Sequence, residues 1–264
     1  MLSKARPGRA LHLADVVGVL FSRALKTRYR GSVLGILWSA LNPLGMAAVY
    51  AAIFGRTFAA YYGGSTVAYG AAVYIGLTIV GFFVGGTTQA LPSIVQNGGL
   101  LNKMRIPFAA FPLSMLGAYG FQQLVGSLPL IAMLSLVENH NPLHLIVLLV
   151  PLGALAMFST GVGLFVSGAN VFFRDVPHLY ELVTFLLWIT TPVFYPAAIV
   201  PPQLARILVF NPLFPIVESA RRLVLTPALP DASMLGLAVL ESAATLLLGV
   251  LAFRAMRPRF MDLV

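Results

Sequence analysis

The sequence predicts an all-α polytopic membrane protein with six transmembrane helices, and three observations support this fold class. Of its 264 residues, 59% are hydrophobic and only 9% are charged, whereas soluble domains carry about 25% charged residues. Several apolar stretches reach the ~20 residues that a helix needs to cross the hydrocarbon core. These stretches are continuous rather than alternating, which disfavours a membrane β-barrel.

Residues 1–32 are predicted to form a cytoplasmic N-terminal segment that contains an amphipathic helix. Within 11–26, apolar residues such as Val16 and Leu20 recur at helical spacing, and polar residues such as Asp15 occupy the other face. A helix with one apolar face and this many polar residues lies along a membrane surface rather than across it.

Residues 33–264 are predicted to form the six-span transmembrane domain. The spans cover about residues 33–54, 69–95, 108–136, 143–168, 179–193 and 234–253. Asn42-Pro43 predicts a kink in the first span. Gly81 and Gly85 in the second span form a small-xxx-small pattern that permits close approach of a neighbouring helix.

Between spans five and six, residues 196–232 are predicted to form an outer gate region. It contains two short apolar pieces, 201–210 and 215–225, each about half the length of a crossing. Short apolar segments of this kind are typical of re-entrant or interfacial helices. The alternative is a seventh crossing broken by proline, which would move the C-terminus to the other side.

The distribution of Lys and Arg decides between these topologies. Seven of the 17 precede the first span, two lie in 97–107, one is Arg174 and three follow the last span. Only Arg56, Arg206, Arg221 and Arg222 then lie outside. Because cytoplasmic loops are enriched in Lys and Arg, the sequence predicts six spans with both termini in the cytoplasm. The formal charge of +9 therefore indicates membrane topology rather than nucleic-acid binding.

Motifs for enzymatic chemistry are absent from the sequence. There is no phosphate-binding G-x-x-x-x-G-K-[ST] loop, no G-x-S-x-G elbow, no H-E-x-x-H and no cysteine. His140 and His144 are close in sequence, but we interpret them as part of a solvated outer loop rather than a metal site. The chain is therefore predicted to be no enzyme and to hold no cofactor or metal.

The segment 97–107 is short, amphipathic and basic, and it is predicted to face the cytoplasm. Its Leu and Met residues alternate with Lys103 and Arg105, and Pro107 closes it. Such a helix suits docking in the groove of a partner protein. A connector whose basic side chains extend to the membrane surface is an equally good reading of these residues alone.

Six short motifs, in order along nearly the whole chain, resemble ABC-transporter permeases that export polysaccharides and polyol phosphates. The motifs are KTRYRGSVLGILW at 26–38, NPL at 42–44, LNKMRIP at 101–107, NVFFRDV at 170–176, TPVFYP at 191–196 and NPL at 211–213. Many members carry an aromatic residue before the arginine of the last block, where this chain has Ala220 before Arg221.

The resemblance implies a homodimer joined to two separate ATP-binding cassette subunits, which would bind ATP and Mg²⁺. It implies that the 97–107 segment is a coupling helix and that the 201–225 pieces are outer gate helices. The expected contacts to the ATPase are Asn102, Lys103, Met104, Arg105, Ile106 and Pro107. The implied substrate is undecaprenyl-diphosphate-linked polysaccharide, most of all O-antigen, carried across the bacterial inner membrane.

Two sets of residues are candidates for contact with such a substrate. Arg28, Tyr29 and Arg30 lie where the amphipathic helix meets the first span, so they either bind the diphosphate headgroup or anchor the chain to lipid headgroups. The channel and gate candidates are Phe185, Trp188, Tyr195, Glu218, Arg221, Arg222 and Glu241. For Glu241, a structural hydrogen bond is the favoured interpretation over a role in transport.

Two other functions fit parts of the sequence. An ABC exporter permease for a drug or lipid would have the same spans and coupling segment. An ion-coupled secondary transporter would need coupling-ion residues near the midplane, and the spans lack a set of this kind.

Overall fold

The computed structural model describes residues 13–28, 31, 32, 34–101, 103, 104, 106–139, 141–203, 208 and 211–263. These residues form helices, turns and loops, and none of them lies in a β-strand. The helices are α1 (Leu13–Arg28), α2 (Trp38–Phe58), α3 (Thr66–Ala90), α4 (Gly98–Leu101), α5 (Ala110–Gly126), α6 (Leu128–Asn139), α7 (Leu143–Phe172), α8 (Val176–Thr190), α9 (Leu213–Leu225), α10 (Ala232–Met256) and α11 (Phe260–Leu263).

Within this part of the chain, four helical segments are long and apolar enough to cross a membrane. They are Gly35–Tyr62, Thr66–Ala90, Leu143–Phe172 and Ala232–Arg259. The bent pair α5 and α6 makes a fifth if it is one crossing, whereas α8 is apolar but has only 15 residues. The helical, membrane-spanning class is confirmed, and the count of six spans remains a prediction.

The third predicted span is divided into α5 and α6, which meet at an angle of 41°. Pro129 lies in the first turn of α6, and proline cannot continue a helix because it lacks an N–H and clashes with the preceding turn. At the break, the Ser127 hydroxyl donates to the carbonyl of Ser39 at 2.8 Å. Pro43 lies inside α2, which continues through it without ending.

The α3 helix is the centre of the bundle and packs against α2, α5, α7 and α9. Its buried aromatic residues Tyr69, Tyr74 and Phe83 lie in the main hydrophobic core. Phe83 stacks on Phe158 of α7, with ring centroids 4.8 Å apart. An apolar helix that is buried around much of its circumference is typical of a core helix.

The α7 and α10 helices make the most extensive pairing in the fold. They approach most closely where Gly161 of α7 faces Gly249 of α10. A Cβ atom on either glycine would overlap the backbone of the other helix, including Thr245 and Leu246 opposite Gly161. Small residues allow this contact because they let two helix backbones meet directly.

The predicted amphipathic helix is confirmed as α1, which packs along α5 through Val16 and Leu20. These two residues belong to a second hydrophobic core that also contains Leu101, Phe108 and Phe260. This core lies beside the first half of α1, the C-terminal end of α4 and the start of α5. The position of α1 relative to a membrane remains a prediction.

The 215–225 piece forms α9, which is buried against α3, α6 and α7. At its C-terminal end, Asn139 donates to the carbonyls of Leu223 and Val224 at 2.8 and 3.0 Å. His144 Nδ1 lies 2.9 Å from the same Leu223 carbonyl. These side chains satisfy carbonyls that a helix end leaves without partners.

The interpretation of His144 as part of a solvated loop was wrong, since its side chain is 1% exposed. The carbonyl of Leu223 needs a donor at this buried position, and the imidazole provides it. His140 lies outside the described residues. Most of the other gate piece, 204–207 and 209–210, also lies outside them, and re-entry of the 201–225 pieces remains a prediction.

Candidate functional site

Two polar cavities lie at opposite ends of the α2–α3 pair. The first, which we call the Arg28 cavity, has a volume of about 550 Å³ and lies beside the start of α2 and the C-terminal half of α3. The second, the Glu218 cavity, has a volume of about 640 Å³ and lies beyond the end of α2. The α2 helix, whose 21 residues extend over about 30 Å at 1.5 Å per residue, roughly one hydrocarbon core, runs from the first cavity towards the second.

Arg28 lies at the mouth of the first cavity and has two neutral partners. Its Nη1 donates to Oε1 of Gln89 at 2.8 Å, and its guanidinium carbon lies 4.8 Å from the centre of the Tyr119 ring. Gly85 on α3 makes room for that ring, since a Cβ there would overlap the Tyr119 side chain. Arg28 is exposed, and no carboxylate among the described residues forms an ion pair with it.

Amide side chains form the deeper wall of the Arg28 cavity. Gln122 and Gln123 on α5 and Asn42 on α2 all line it. Gln123 Nε2 donates to the Thr78 carbonyl at 3.2 Å. Gln122 is 5% exposed, and its Oε1 has no hydrogen-bond partner among the described residues. A buried acceptor without a donor costs about 1–3 kcal/mol, so this oxygen lowers the stability of the fold.

Two tryptophans complete the cavity. Trp38 is 55% exposed at the start of α2, and Trp188 of α8 reaches in from the opposite wall. Trp188 packs edge-on against Phe194, with ring centroids 4.8 Å apart. Of the aromatic pair predicted on α8, the structure therefore places Trp188 in the cavity. Phe185, one turn earlier on the same helix, is 55% exposed and lines neither cavity.

The Glu218 cavity combines charged and aromatic residues. Glu218 and Arg222, one turn apart on α9, form an ion pair of 3.0 Å. Tyr61 and Tyr62 at the end of α2 and Glu138 at the end of α6 line the same space. Three of the predicted gate residues, Glu218, Arg221 and Arg222, are thus brought together.

Arg221 is used mainly for structure. It is 4% exposed, and its guanidinium donates to the carbonyls of Ala72, Pro192 and Val193 at 2.9, 2.5 and 2.5 Å. Gly76 on α3 makes space for it, because a Cβ at that position would lie 2.9 Å from Nη2. Arg221 thereby joins α9 to α3 and to the non-helical segment after α8.

The remaining gate candidates are separate from these cavities. Tyr195 lines a smaller cavity of about 370 Å³, and its hydroxyl donates to the Ile189 carbonyl at 3.2 Å. Glu241 is half-buried on α10 and lines neither large cavity. Its Oε2 has no partner among the described residues, and the hydrogen bond predicted for it is therefore not found for this oxygen.

The predicted coupling segment begins with a short helix, α4. Leu101 is buried in the second core, Lys103 is exposed, and Met104, Ile106 and Pro107 are half-buried. Asn102 and Arg105 lie outside the described residues, as do Tyr29 and Arg30 of the headgroup set. No group of His, Asp or Glu suited to hold a metal ion occurs in the described part of the chain.

Several residues of the two cavities were not identified from the sequence, namely Trp38, Tyr119, Gln122, Gln123, Tyr61 and Glu138. The clearest signal was Gln122-Gln123, since two adjacent amides are unusual inside an apolar span. Their polarity alone does not say which neighbour they face.

Comparison with known proteins matches residues 15–225 to the family model described as ABC-2 type transporter. The chain is 31% identical to an O-antigen export system permease protein of Klebsiella pneumoniae over 80% of this chain and 81% of that protein. It is 29% identical to a protein of the same name from Myxococcus xanthus, over 82% of each. It is 22% identical to the polysialic acid transport protein KpsM of Escherichia coli, over 90% of this chain and 92% of the relative.

Proposed function

The chain belongs to the ABC-2 type transporter family, and we propose that it is the transmembrane channel subunit of an ATP-driven exporter of lipid-diphosphate-linked polysaccharide. The Arg28 cavity is the observation that carries this proposal. Between largely apolar helices, this cavity brings together one arginine at its mouth, amides along its wall and two tryptophans.

The chemistry of the Arg28 cavity suits the reducing end of such a substrate. An arginine without a carboxylate partner offers charge-assisted, bidentate hydrogen bonds to a phosphate. Behind it, amides can donate to and accept from sugar hydroxyl groups, and aromatic faces pack on the C–H faces of sugars. The similarity to O-antigen export permeases supports polysaccharide over a drug or a simple lipid.

The assembly that we propose is a homodimer with two ATP-binding cassette subunits in the bacterial inner membrane. It has six spans per subunit, with α8 as the fifth, and both termini in the cytoplasm. The 97–107 segment is the coupling helix, and the 196–232 region is the outer gate. The channel lies between the two subunits, because one six-helix bundle gives little wall for a polymer.

The coupling role is tested by reversing charge at the exposed Lys103 together with Arg105. Because this segment is polar and Lys103 has no partner among the described residues, we expect the double glutamate variant to insert normally. When the variant is assembled with its ATPase subunits, we expect substrate to stimulate ATP hydrolysis at least tenfold less than in the parent complex. Unchanged stimulation with normal polymer at the cell surface would contradict the coupling assignment.

The export function is tested with Gln122→Leu. Leucine has a similar size and removes an acceptor that has no donor, so the variant is expected to be at least as stable as the parent. If the cavity binds the glycan, surface polysaccharide in a strain that lacks the native permease should fall at least tenfold. The matched control is Gln203→Leu, at an exposed position that lines neither cavity. Normal export by Gln122→Leu at normal expression would contradict the proposed site.

A further inference from the structure

The distribution of charged residues between the two cavities indicates whether the transported polymer can carry charge on its units. From Gly31 to Gly55, and from Thr57 to Asn102, the sequence contains no Asp, Glu, Lys or Arg. From Ile106 to Phe173 it contains one, Glu138. These stretches include α2 up to Gly55, and all of α3, α5, α6 and α7, the helices that connect the Arg28 cavity to the Glu218 cavity.

Arg56, exposed near the C-terminal end of α2, is the one cation among the described residues of these helices, so a polymer that carries a negative charge on every unit would lack a matching cation at most of its units along this length. Removing an anion from water without a partner is strongly unfavourable, which is why charges inside membrane proteins are paired or face a cation. The Arg28 cavity has one cation among its described lining residues. One arginine matches a diphosphate at one end of a chain, not a charge that repeats along it.

The Glu218 cavity has no excess of cationic over anionic residues. Four charged residues line it, namely Glu138, Glu218, Arg221 and Arg222, so their formal charges cancel. Arg222 is paired with Glu218 at 3.0 Å, and its Nη1 lies 3.8 Å from Oδ2 of Asp231. Three hydrogen bonds to carbonyls already orient the Arg221 guanidinium.

The Arg222 side chain is 42% exposed but is held by its ion pair with Glu218, and the other accessible groups in this cavity include an aromatic ring and a carboxylate. Tyr61 is 53% exposed and offers a ring face, while Glu138 is exposed and has no ion partner among the described residues. A carboxylate is an acceptor with two oxygens, and it can accept from two neighbouring hydroxyl groups of a sugar. It repels a carboxylate or phosphate on the polymer. A cavity with aromatic rings and an unpaired carboxylate therefore favours uncharged, hydroxyl-rich sugar units.

We propose that the Glu218 cavity is a second binding site for the polymer and that it accepts uncharged sugar units while excluding polyanionic chains. This inference rests on the proposed export function and defines its substrate class as neutral polysaccharide. It assigns the negative charge of the substrate to the lipid diphosphate alone. Glu138 and Tyr61 are specificity-determining residues at the far end of the path.

The experiment uses inverted membrane vesicles that contain the full-length permease and its ATP-binding cassette partner. ATP-dependent uptake is measured for two undecaprenyl-diphosphate-linked tetrasaccharides, one of galactose and one of sialic acid. We expect uptake of the galactose tetramer to be at least tenfold faster. Equal or faster uptake of the sialic acid tetramer would overturn the inference and leave the export function intact. Uptake of neither would contradict the export function on which the inference rests.

A charge reversal in the Glu218 cavity tests whether that cavity makes the distinction. Glu138→Lys changes the local charge by two units at an exposed position, so we expect it to lower the galactose-to-sialic-acid ratio at least threefold. Glu181→Lys makes the same change at an exposed position on α8 that lines neither cavity, and it should leave the ratio unaltered. If Glu138→Lys keeps the parental ratio at normal membrane levels, the discrimination does not arise in this cavity and the proposal fails.

Discussion

Arg28 and Arg221 lie in two polar regions at opposite ends of the same helices, and their surroundings differ sharply. Arg221 is buried, and three backbone carbonyls orient it. Arg28 is exposed, and its partners are an amide oxygen and an aromatic ring. Carbonyl partners in a buried site fix the fold, whereas neutral partners at a cavity mouth leave a charge free to act on a ligand. We infer from this comparison that the surroundings of each arginine separate a structural role for Arg221 from the ligand-binding role proposed for Arg28.

The largest effect that this comparison predicts is on stability, for Arg221→Met. Methionine fills much of the volume but leaves the carbonyls of Pro192 and Val193 without their donor. Buried acceptors without partners cost about 1–3 kcal/mol each, so we expect a loss of about 3 kcal/mol in the free energy of unfolding. Denaturant titration in mixed micelles measures it. A loss below about 1 kcal/mol would show that Arg221 is not a structural link.

Arg28→Lys should affect substrate recognition and leave the fold intact. Lysine keeps the charge but cannot make the bidentate contact to a phosphate. We expect a loss of about 1–3 kcal/mol in binding, which is about 5–150-fold in the substrate concentration for half-maximal ATPase stimulation. The matched control is Arg23→Lys, at an exposed position on the same helix. If both variants need the same substrate concentration for half-maximal ATPase stimulation, Arg28 is a membrane anchor and does not recognise the substrate.

Tyr119→Leu removes the ring beside Arg28 and should have a smaller effect of the same kind. A cation–π contact at an exposed site contributes about 0.5–1 kcal/mol, so the apparent affinity for substrate should fall about two- to fivefold. Phe121→Leu is the control for loss of an aromatic ring, at an exposed position on the same helix that lines neither cavity. The assignment is contradicted if Tyr119→Leu leaves the affinity unchanged while Arg28→Lys lowers it.

The smallest effect is expected for Arg222→Met. Its ion pair with Glu218 joins adjacent turns of α9, and the arginine side chain is 42% exposed. Pairs of this kind contribute at most about 1 kcal/mol. Arg222→Met, measured in the same titration as Arg221→Met, should therefore leave the unfolding free energy within that range. A loss as large as that of Arg221→Met would remove the distinction between the two neighbouring arginines.

The sequence predicted the helical class, the amphipathic first helix and the positions of the apolar helices, because continuous hydrophobicity and helical periodicity report burial directly. It did not predict the break between α5 and α6, although Pro129 provided a signal. The contacts of Arg221 could not be predicted, since Ala72 lies 149 residues away and Pro192 lies 29 residues away. The partners of such a side chain depend on packing, which the periodicity of one helix does not encode.

Only some residues of the candidate site were predicted from the sequence. Arg28, Trp188, Glu218 and Arg222 were identified because charge or an aromatic ring is conspicuous beside an apolar span. Gln122 was not identified, since the polarity of the adjacent amides Gln122 and Gln123 does not say which neighbours they face.

The contact between Gly161 and Gly249 has a mechanical consequence. Any sliding of α7 along α10 would drive a larger side chain into the facing backbone, because both glycines lie directly against the opposite helix. We therefore expect the two helices to keep their register. On α8, by contrast, the buried residues are Tyr180 and Thr184. We infer that a transport stroke moves α7 and α10 as one unit, whereas α8, which buries fewer residues, can move separately.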